Sequence, residues 1–151
     1  MSEALAIKPT FERVPASRLN PTRLNKPAYL MNVPFSYTAD LANNAWMVDM
    51  KDEDREVDTN KAIRQFLELY HFIAADTLVY LLPTPGNGGL QDLVFTANIG
   101  IVPEHMPDGN TVILSNFECE SRANEVPVGV EFFRVMGYDI HVSPHKFEGE
   151  A

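Results

Sequence analysis

The chain has one cysteine, Cys119, which is the first residue to consider as a reactive group. A cysteine acts as a nucleophile when a neighbouring cation or base favours its thiolate. Cys119 falls in a predicted connection between a strand and a helix, and a lone cysteine is most often a small packing residue. We therefore predict a core role for Cys119. Since the chain cannot form an internal disulfide, we also expect a reducing compartment, the cytoplasm.

A zinc site is the second chemistry to consider, because His141, His145 and Glu148 lie close together in sequence. Two histidines four positions apart can bind one metal ion across a single helical turn. Residues 138–143 instead alternate as a strand does, and Pro144 interrupts any helix. We predict no metal and no cofactor. A metal hydrolase is kept as a minor alternative that metal analysis of the purified protein would test.

The charge distribution separates a basic N-terminal segment from an acidic body. Residues 1–27 carry a net charge of +3 and four prolines, which indicates an extended basic arm, whereas residues 28–151 carry −12. An acidic body argues against nucleic-acid binding. The apolar runs are too short to cross a membrane. The segment TPGNGG (84–89) lacks the lysine and hydroxyl residues of a phosphate-binding loop.

The pattern of apolar residues predicts alternating strands and helices. One helix is predicted where residues 63–74 carry an apolar stripe behind an acidic cluster. A second is predicted over 122–136, with Pro127 in its first turn and Gly137 as its stop. The predicted strands occupy residues 28–33, 78–82, 94–102, 111–117 and 138–143.

The two helix-to-strand passages look like copies of one unit. Each ends in a strand followed by a proline, and Pro83 and Pro144 are 61 positions apart. With this period, 151 residues amount to about two and a half units, which are too few to close a ring. We therefore predict an α/β fold that is part of a larger arrangement.

Four segments in this order resemble the N-terminal half of the pentein superfamily, the guanidine-modifying enzymes. The nearest branch is that of dimethylarginine dimethylaminohydrolase, the arginine dihydrolases and the amidinotransferases. The segments are MNVPFSYTADLANNAWM (31–47), GGLQDLVFTANIGIV (88–102), SNFECESRANEVP (115–127) and FEGEA (147–151). The resemblance implies a propeller of five ββαβ modules around a central site. This chain would supply roughly two to two and a half of them, over residues 28–151.

The resemblance also implies five substrate-binding residues. Asp92 and Asn98 match positions that bind and orient the guanidinium, and Asn44 matches an active-site asparagine. Arg122 matches an arginine that pairs with the α-carboxylate of the substrate, a planar fork that lysine would replace poorly. Glu148 matches an acidic residue beside the guanidinium.

Four of these residues also have simple structural interpretations. Asn98 could bond the backbone next to Gly100, and Glu148 could be a solvated residue near the chain end. Asp92 could merely cap a turn. Arg122 could be balanced on its own helix by the acidic residues Glu118, Glu120 and Glu125.

Two departures from the family pattern concern loop stiffness, since Ala45 and Gln91 stand where the family has prolines. A third difference is chemical. The family's catalytic histidine and cysteine follow the FEG segment, so no residue of this chain is assigned a catalytic role.

The predicted function is the substrate-binding half of an arginine- or guanidine-processing hydrolase or amidinotransferase, in which a cysteine attacks a guanidinium carbon. The expected ligand is arginine or a related guanidino compound. The expected partner is a complementary C-terminal half, or a second copy, that covers the open edge. The alternative is a non-catalytic guanidine-binding or assembly module of the same half-fold.

Overall fold

The protein is built from two β–α–β units, seen in a computed structural model that describes residues 26–43, 45–86, 89–103 and 110–149. Most of the predicted basic arm, residues 1–25, therefore lies outside the described residues. The described residues contain five strands, which form a two-stranded and a three-stranded sheet. The strands are β1 (Ala28–Asn32), β2 (Leu78–Leu82), β3 (Gly100–Ile101), β4 (Thr111–Leu114) and β5 (Asp139–Val142). The helices are α1 (Ala45–Val48), α2 (Thr59–Ala74), α3 (Glu120–Ala123) and α4 (Val126–Val135), with 3-10 turns at Asp52–Arg55 and Thr96–Ile99.

The first unit pairs β1 with β2 in parallel, in register from Ala28 opposite Leu78 to Asn32 opposite Leu82. Helix α2 makes the crossover that a parallel pair requires. Its N-terminus is capped by Asp58, whose carboxylate accepts the Lys61 N–H at 2.9 Å. The strand and helix predictions for this region are therefore confirmed.

The second unit repeats this arrangement and adds a strand. β4 and β5 are parallel with α4 between them, while β3 pairs antiparallel with β4. This order is ββαβ, so the internal repeat and the α/β class predicted from the sequence are confirmed. Residues 104–109, which hold most of the predicted β3–β4 turn, lie outside the described ranges.

Of the predicted strand over residues 94–102, only Gly100–Ile101 is a strand, β3, and the part before it is wrong. Successive turns close there instead, with Leu93 N–H bonded to Leu90 C=O and Phe95 N–H to Asp92 C=O, before the 3-10 turn and the short β3. The buried residues Leu90, Leu93 and Ile99 are spaced by multiples of three, which suits turns of this type and not a strand. This irregular stretch carries two of the predicted site residues.

The second predicted helix is two helices, α3 and α4, separated by Asn124 and Glu125. Pro127 occupies the first turn of α4, where its missing N–H costs nothing, and α4 ends at Val135, two residues before Gly137. The break occurs because Pro127 cannot donate to the carbonyl of Ala123 and continue a single helix. The predicted strands over 111–117 and 138–143 are confirmed with shorter bounds.

The core lies between the two units, where the ends of β2, β4 and α4 pack on the turns after β2. Its fully buried members are Leu82, Leu90, Leu93, Ile99, Val112, Leu114 and Phe133. Outside it, helix α2 buries only Phe66 and exposes Phe72 at 80% and Leu69 at 51%. Much of the apolar surface of α2 is therefore left uncovered by the residues that the structure describes.

Within the described ranges, no helix combines the length and apolar character that a membrane crossing requires. The cytoplasmic location stays a prediction.

Candidate functional site

The loops that follow β1, β2, β4 and β5 meet at one place, because parallel strands direct their carboxyl ends to the same edge. There they enclose a cavity of about 430 Å³. Four of the five residues predicted from the sequence line it: Asp92, Asn98, Arg122 and Glu148. The fifth, Asn44, lies outside the described residues.

Arg122 is the most heavily bonded residue of this group. Its side chain is buried, and its guanidinium lies 4.3 Å from the centre of the Phe117 ring. Nε and Nη2 donate to the Glu125 carboxylate, Nη2 also donates to the Asp92 carbonyl, and Nη1 donates to Asn98 Oδ1 at 3.1 Å. Four of its five N–H groups are thus engaged within the described chain, which leaves one on Nη1 for a ligand.

Glu125 is a residue that the sequence analysis weighed only as a charge partner. Its carboxylate is fully buried and lies 2.8 Å from Arg122 Nη2. Burial raises the pKa of Glu125 above its ordinary value of 4.5, although the hydrogen bond from Arg122 opposes this shift. The sequence signal for this pair was the spacing of three between Arg122 and Glu125, because residues three apart in a helical turn are neighbours.

Asp92 extends from the turns after β2 with its side chain mostly buried. Its Oδ2 accepts a hydrogen bond from Asn43 Nδ2 and lies 4.0 Å from Arg122 Nε. Asn43 was not predicted as a site residue, because the family resemblance assigned a role only to the neighbouring Asn44. Asn43 Oδ1 in turn accepts from Ser121 Oγ at 2.7 Å and from the Cys119 thiol at 3.3 Å.

Cys119 corrects one expectation from the sequence. It is partly exposed and lines the cavity, so it is not a core residue. The position follows from the way the chain leaves β4 and turns into α3 directly at the cavity wall.

Glu148 reaches the cavity through a tightly packed segment after β5. Phe147 exchanges two backbone hydrogen bonds with Asn116, at 2.9 and 3.1 Å. Glu148 Oε1 accepts the Glu118 N–H at 3.2 Å, and its carbonyl lies 3.4 Å from Asn98 Nδ2. The FEG and TAN segments are therefore in direct contact.

Gln91 stands where the family pattern has a proline, and its side chain restrains the loop by hydrogen bonds. Its buried side-chain amide donates to the Leu41 carbonyl and accepts the Leu41 N–H, each at 3.0 Å. Ser36 Oγ adds a bond to the Leu90 carbonyl at 2.7 Å. These contacts hold the loop that carries Asn43 against the turns that carry Asp92.

The cavity can accept a cation. Asp92 and Glu148 bring two carboxylates to its wall and Arg122 one positive charge, and Glu125 already neutralises that charge from behind. Carboxylate and amide oxygens around a small space suit the N–H groups of a guanidinium. His141 and His145 are exposed, and no group of three potential metal ligands occurs among the described residues.

No family model matches the chain. It is 34% identical over 123 residues to the bifunctional arginine dihydrolase/ornithine cyclodeaminase AgrE of Nostoc sp., which covers 80% of this chain and 16% of that protein. It is 31% identical over 122 residues to the bifunctional protein ArgZ of Synechocystis sp., with the same coverage. The chain thus spans about one sixth of the length of these relatives.

A solved structure agrees with the sequence matches. The N-terminal domain of ArgZ, an arginine dihydrolase crystallised with its substrate, aligns with a TM-score of 0.70 and 30% identity. The alignment covers 82% of this chain and 42% of that domain. The pentein resemblance predicted from the sequence is confirmed, because this chain is homologous over four fifths of its length to the bifunctional arginine dihydrolase/ornithine cyclodeaminases.

Proposed function

We propose that this chain is the substrate-binding part of an arginine-processing hydrolase of the pentein type, and that arginine or a close guanidino relative is its ligand. The observation that supports this most strongly is the meeting of Asp92, Asn98, Arg122 and Glu148 around one cavity. These residues come from three separate segments of the sequence, 88–102, 115–127 and 147–151. A shared structural role in one turn or helix would not bring them together.

In the proposed mode of binding, the Asp92 and Glu148 carboxylates and Asn98 Oδ1 accept N–H groups of the guanidinium. The remaining N–H of Arg122 Nη1 meets the α-carboxylate of the ligand. That is a single hydrogen bond and not a two-pronged one, because Glu125 holds the other edge of the guanidinium. Asn44 is kept in the proposal as a further ligand contact.

The histidine and cysteine of the reaction come, in this proposal, from outside these 151 residues. No histidine is among the described residues that line the cavity. The two units correspond to about two and a half modules of a propeller, and the rest would close it. A complementary half, or a second copy of the chain, would also cover exposed apolar side chains such as Phe35 at 67% and Phe72 at 80%.

Calorimetric titration with arginine and citrulline tests the binding. The two ligands have nearly the same shape, but only arginine carries a guanidinium charge. We expect arginine to bind, citrulline to bind at least about tenfold more weakly, and Asp92→Asn to lower the arginine affinity by a similar factor. Glu131→Gln is the matched control, because Glu131 is exposed on α4 and pairs with Arg134.

Absence of arginine binding, or equal binding of citrulline, would refute the proposal. The non-catalytic alternative predicts the same binding. It differs in that no added polypeptide makes the chain hydrolyse arginine. Activity measured with the remaining modules of the dihydrolase domain of a relative separates the two, and light scattering shows whether those modules associate with the chain.

A further inference from the structure

Glu125 does not line the cavity, and its carboxylate is the most deeply buried charge described in the chain. It accepts hydrogen bonds from Arg122 Nε at 3.2 and 3.3 Å and from Nη2 at 2.8 Å. Burying a carboxylate is costly even when it is paired, and an apolar pair of similar volume often serves stability as well. Its position therefore calls for a role beyond stability.

Both members of the Arg122–Glu125 pair interact with the backbone of Asp92. The Asp92 backbone N–H faces the Glu125 carboxylate and helps to stabilise its charged form, and the Asp92 carbonyl accepts a hydrogen bond from Arg122 Nη2 at 3.3 Å. Asp92 lies in irregular turns with no strand or helix to fix it. The ion pair thus adds to the turn hydrogen bonds, in which the Asp92 carbonyl also accepts the Phe95 N–H at 2.9 Å.

The same pair also orients Asn98. Arg122 Nη1 donates to Asn98 Oδ1, so Asn98 Nδ2 points towards the Glu148 carbonyl at 3.4 Å. Without Arg122 the amide could rotate and exchange its donor and acceptor atoms. One buried ion pair therefore contacts two cavity residues, Asp92 and Asn98, in the irregular stretch after β2.

We infer that Glu125 is a positioning residue of the guanidine site, which acts through Arg122 to hold Asp92 and Asn98 in the geometry that receives the ligand. The inference rests on the proposed function for the identity of the ligand. The geometry that it assigns can be tested separately.

The test compares Glu125→Gln with Glu131→Gln, the same change at an exposed position on α4. The probe is agmatine, which has the guanidinium of arginine but no carboxylate, so its binding does not depend on Arg122 as a carboxylate partner. We expect Glu125→Gln to weaken agmatine binding about tenfold or more, and Glu131→Gln to leave it within about twofold.

A second measurement reports the positioning directly. Amide hydrogen exchange of Asp92 should accelerate about tenfold or more in Glu125→Gln, and the side-chain amide signals of Asn98 should shift, while amides in the core strand β4 keep their protection. A general loss of stability would instead affect β4 equally. Unchanged agmatine binding together with an unchanged Asp92 amide would overturn the inference.

Two controls keep the outcome decisive. If Glu125→Gln does not fold, the apolar pair Arg122→Met/Glu125→Met should fold, since it removes both buried charges at once. Agmatine binding at the wild-type level in this double variant would contradict the inference, and its loss would support it. If the wild type does not bind agmatine, the proposed function fails, and the exchange of Asp92 alone decides whether Glu125 positions it.

Discussion

Replacing Gly149 by alanine should detach the Glu148 segment from the site. Gly149 has a φ of +61°, and an added Cβ would lie 2.4 Å from the Ala97 carbonyl oxygen and 2.8 Å from the Asn98 carbonyl carbon. The left-handed conformation costs an alanine about 1–2 kcal/mol. The clash concerns rigid backbone atoms and not flexible side chains, so the segment has to move away.

The expected magnitude follows from what the segment would lose. The two backbone hydrogen bonds between Phe147 and Asn116, at 2.9 and 3.1 Å, contribute about 1 kcal/mol each. With the conformational strain, docking of the segment should weaken by about 3 kcal/mol, which is about a hundredfold in the local opening equilibrium. Hydrogen exchange of the Phe147 amide measures this directly.

Two other glycines provide matched controls. Gly89 has a φ of +71° with nothing within 4 Å of an added Cβ, and Gly86 also has open space but no positive φ. Gly89→Ala isolates the conformational strain, and Gly86→Ala should be neutral or slightly stabilising. If Gly149→Ala leaves the Phe147 amide as well protected as Gly89→Ala does, the contact between the FEG and TAN segments is not what holds Glu148.

Two further predictions concern groups behind the cavity. Gln91→Ala removes both hydrogen bonds to Leu41, so we expect a loss of about 1–3 kcal/mol in the free energy of unfolding by urea and faster hydrogen exchange of the Leu41 amide. Wild-type values for both would contradict a role of these two hydrogen bonds in holding the loop. The raised pKa of Glu125, which Arg122 and Asp92 face, means that the folded state binds this proton more tightly than the unfolded state. The stabilising contribution of this proton is present below pH 4.5 and is lost as the pH rises through the folded pKa. The free energy of unfolding of Glu125→Gln, relative to that of the wild type, should therefore increase over that range. A difference that does not change with pH would contradict the raised pKa.

The regular elements of this fold were predictable because their signals are local. Helix α2 shows an apolar period with a capping aspartate before it, and β2 is an apolar run that ends at Pro83. The stretch from Val94 to Ile99 was wrongly predicted as a strand, because its apolar residues fit both a strand and a chain of turns. Its true form depends on Arg122, some thirty residues later, which bonds the Asp92 carbonyl.

The candidate site shows the same division. Asp92, Asn98, Arg122 and Glu148 were found through motifs, but the motifs did not show that Glu125 engages most of the Arg122 guanidinium. Nor did they identify Asn43, whose amide links Asp92 to Ser121. Such partners are fixed by packing between distant segments, which a single sequence does not display.

The Gln91 amide has a consequence for how the cavity wall forms. A proline restricts the chain in the unfolded state as well as the folded one, and its effect is confined to its own surroundings. The amide joins two segments fifty residues apart and exists only when both are in place. The loop that carries Asn43 is therefore held in place only when the first β–α–β unit is folded. A substitution that destabilises this unit should release the loop and open the cavity before the core unfolds.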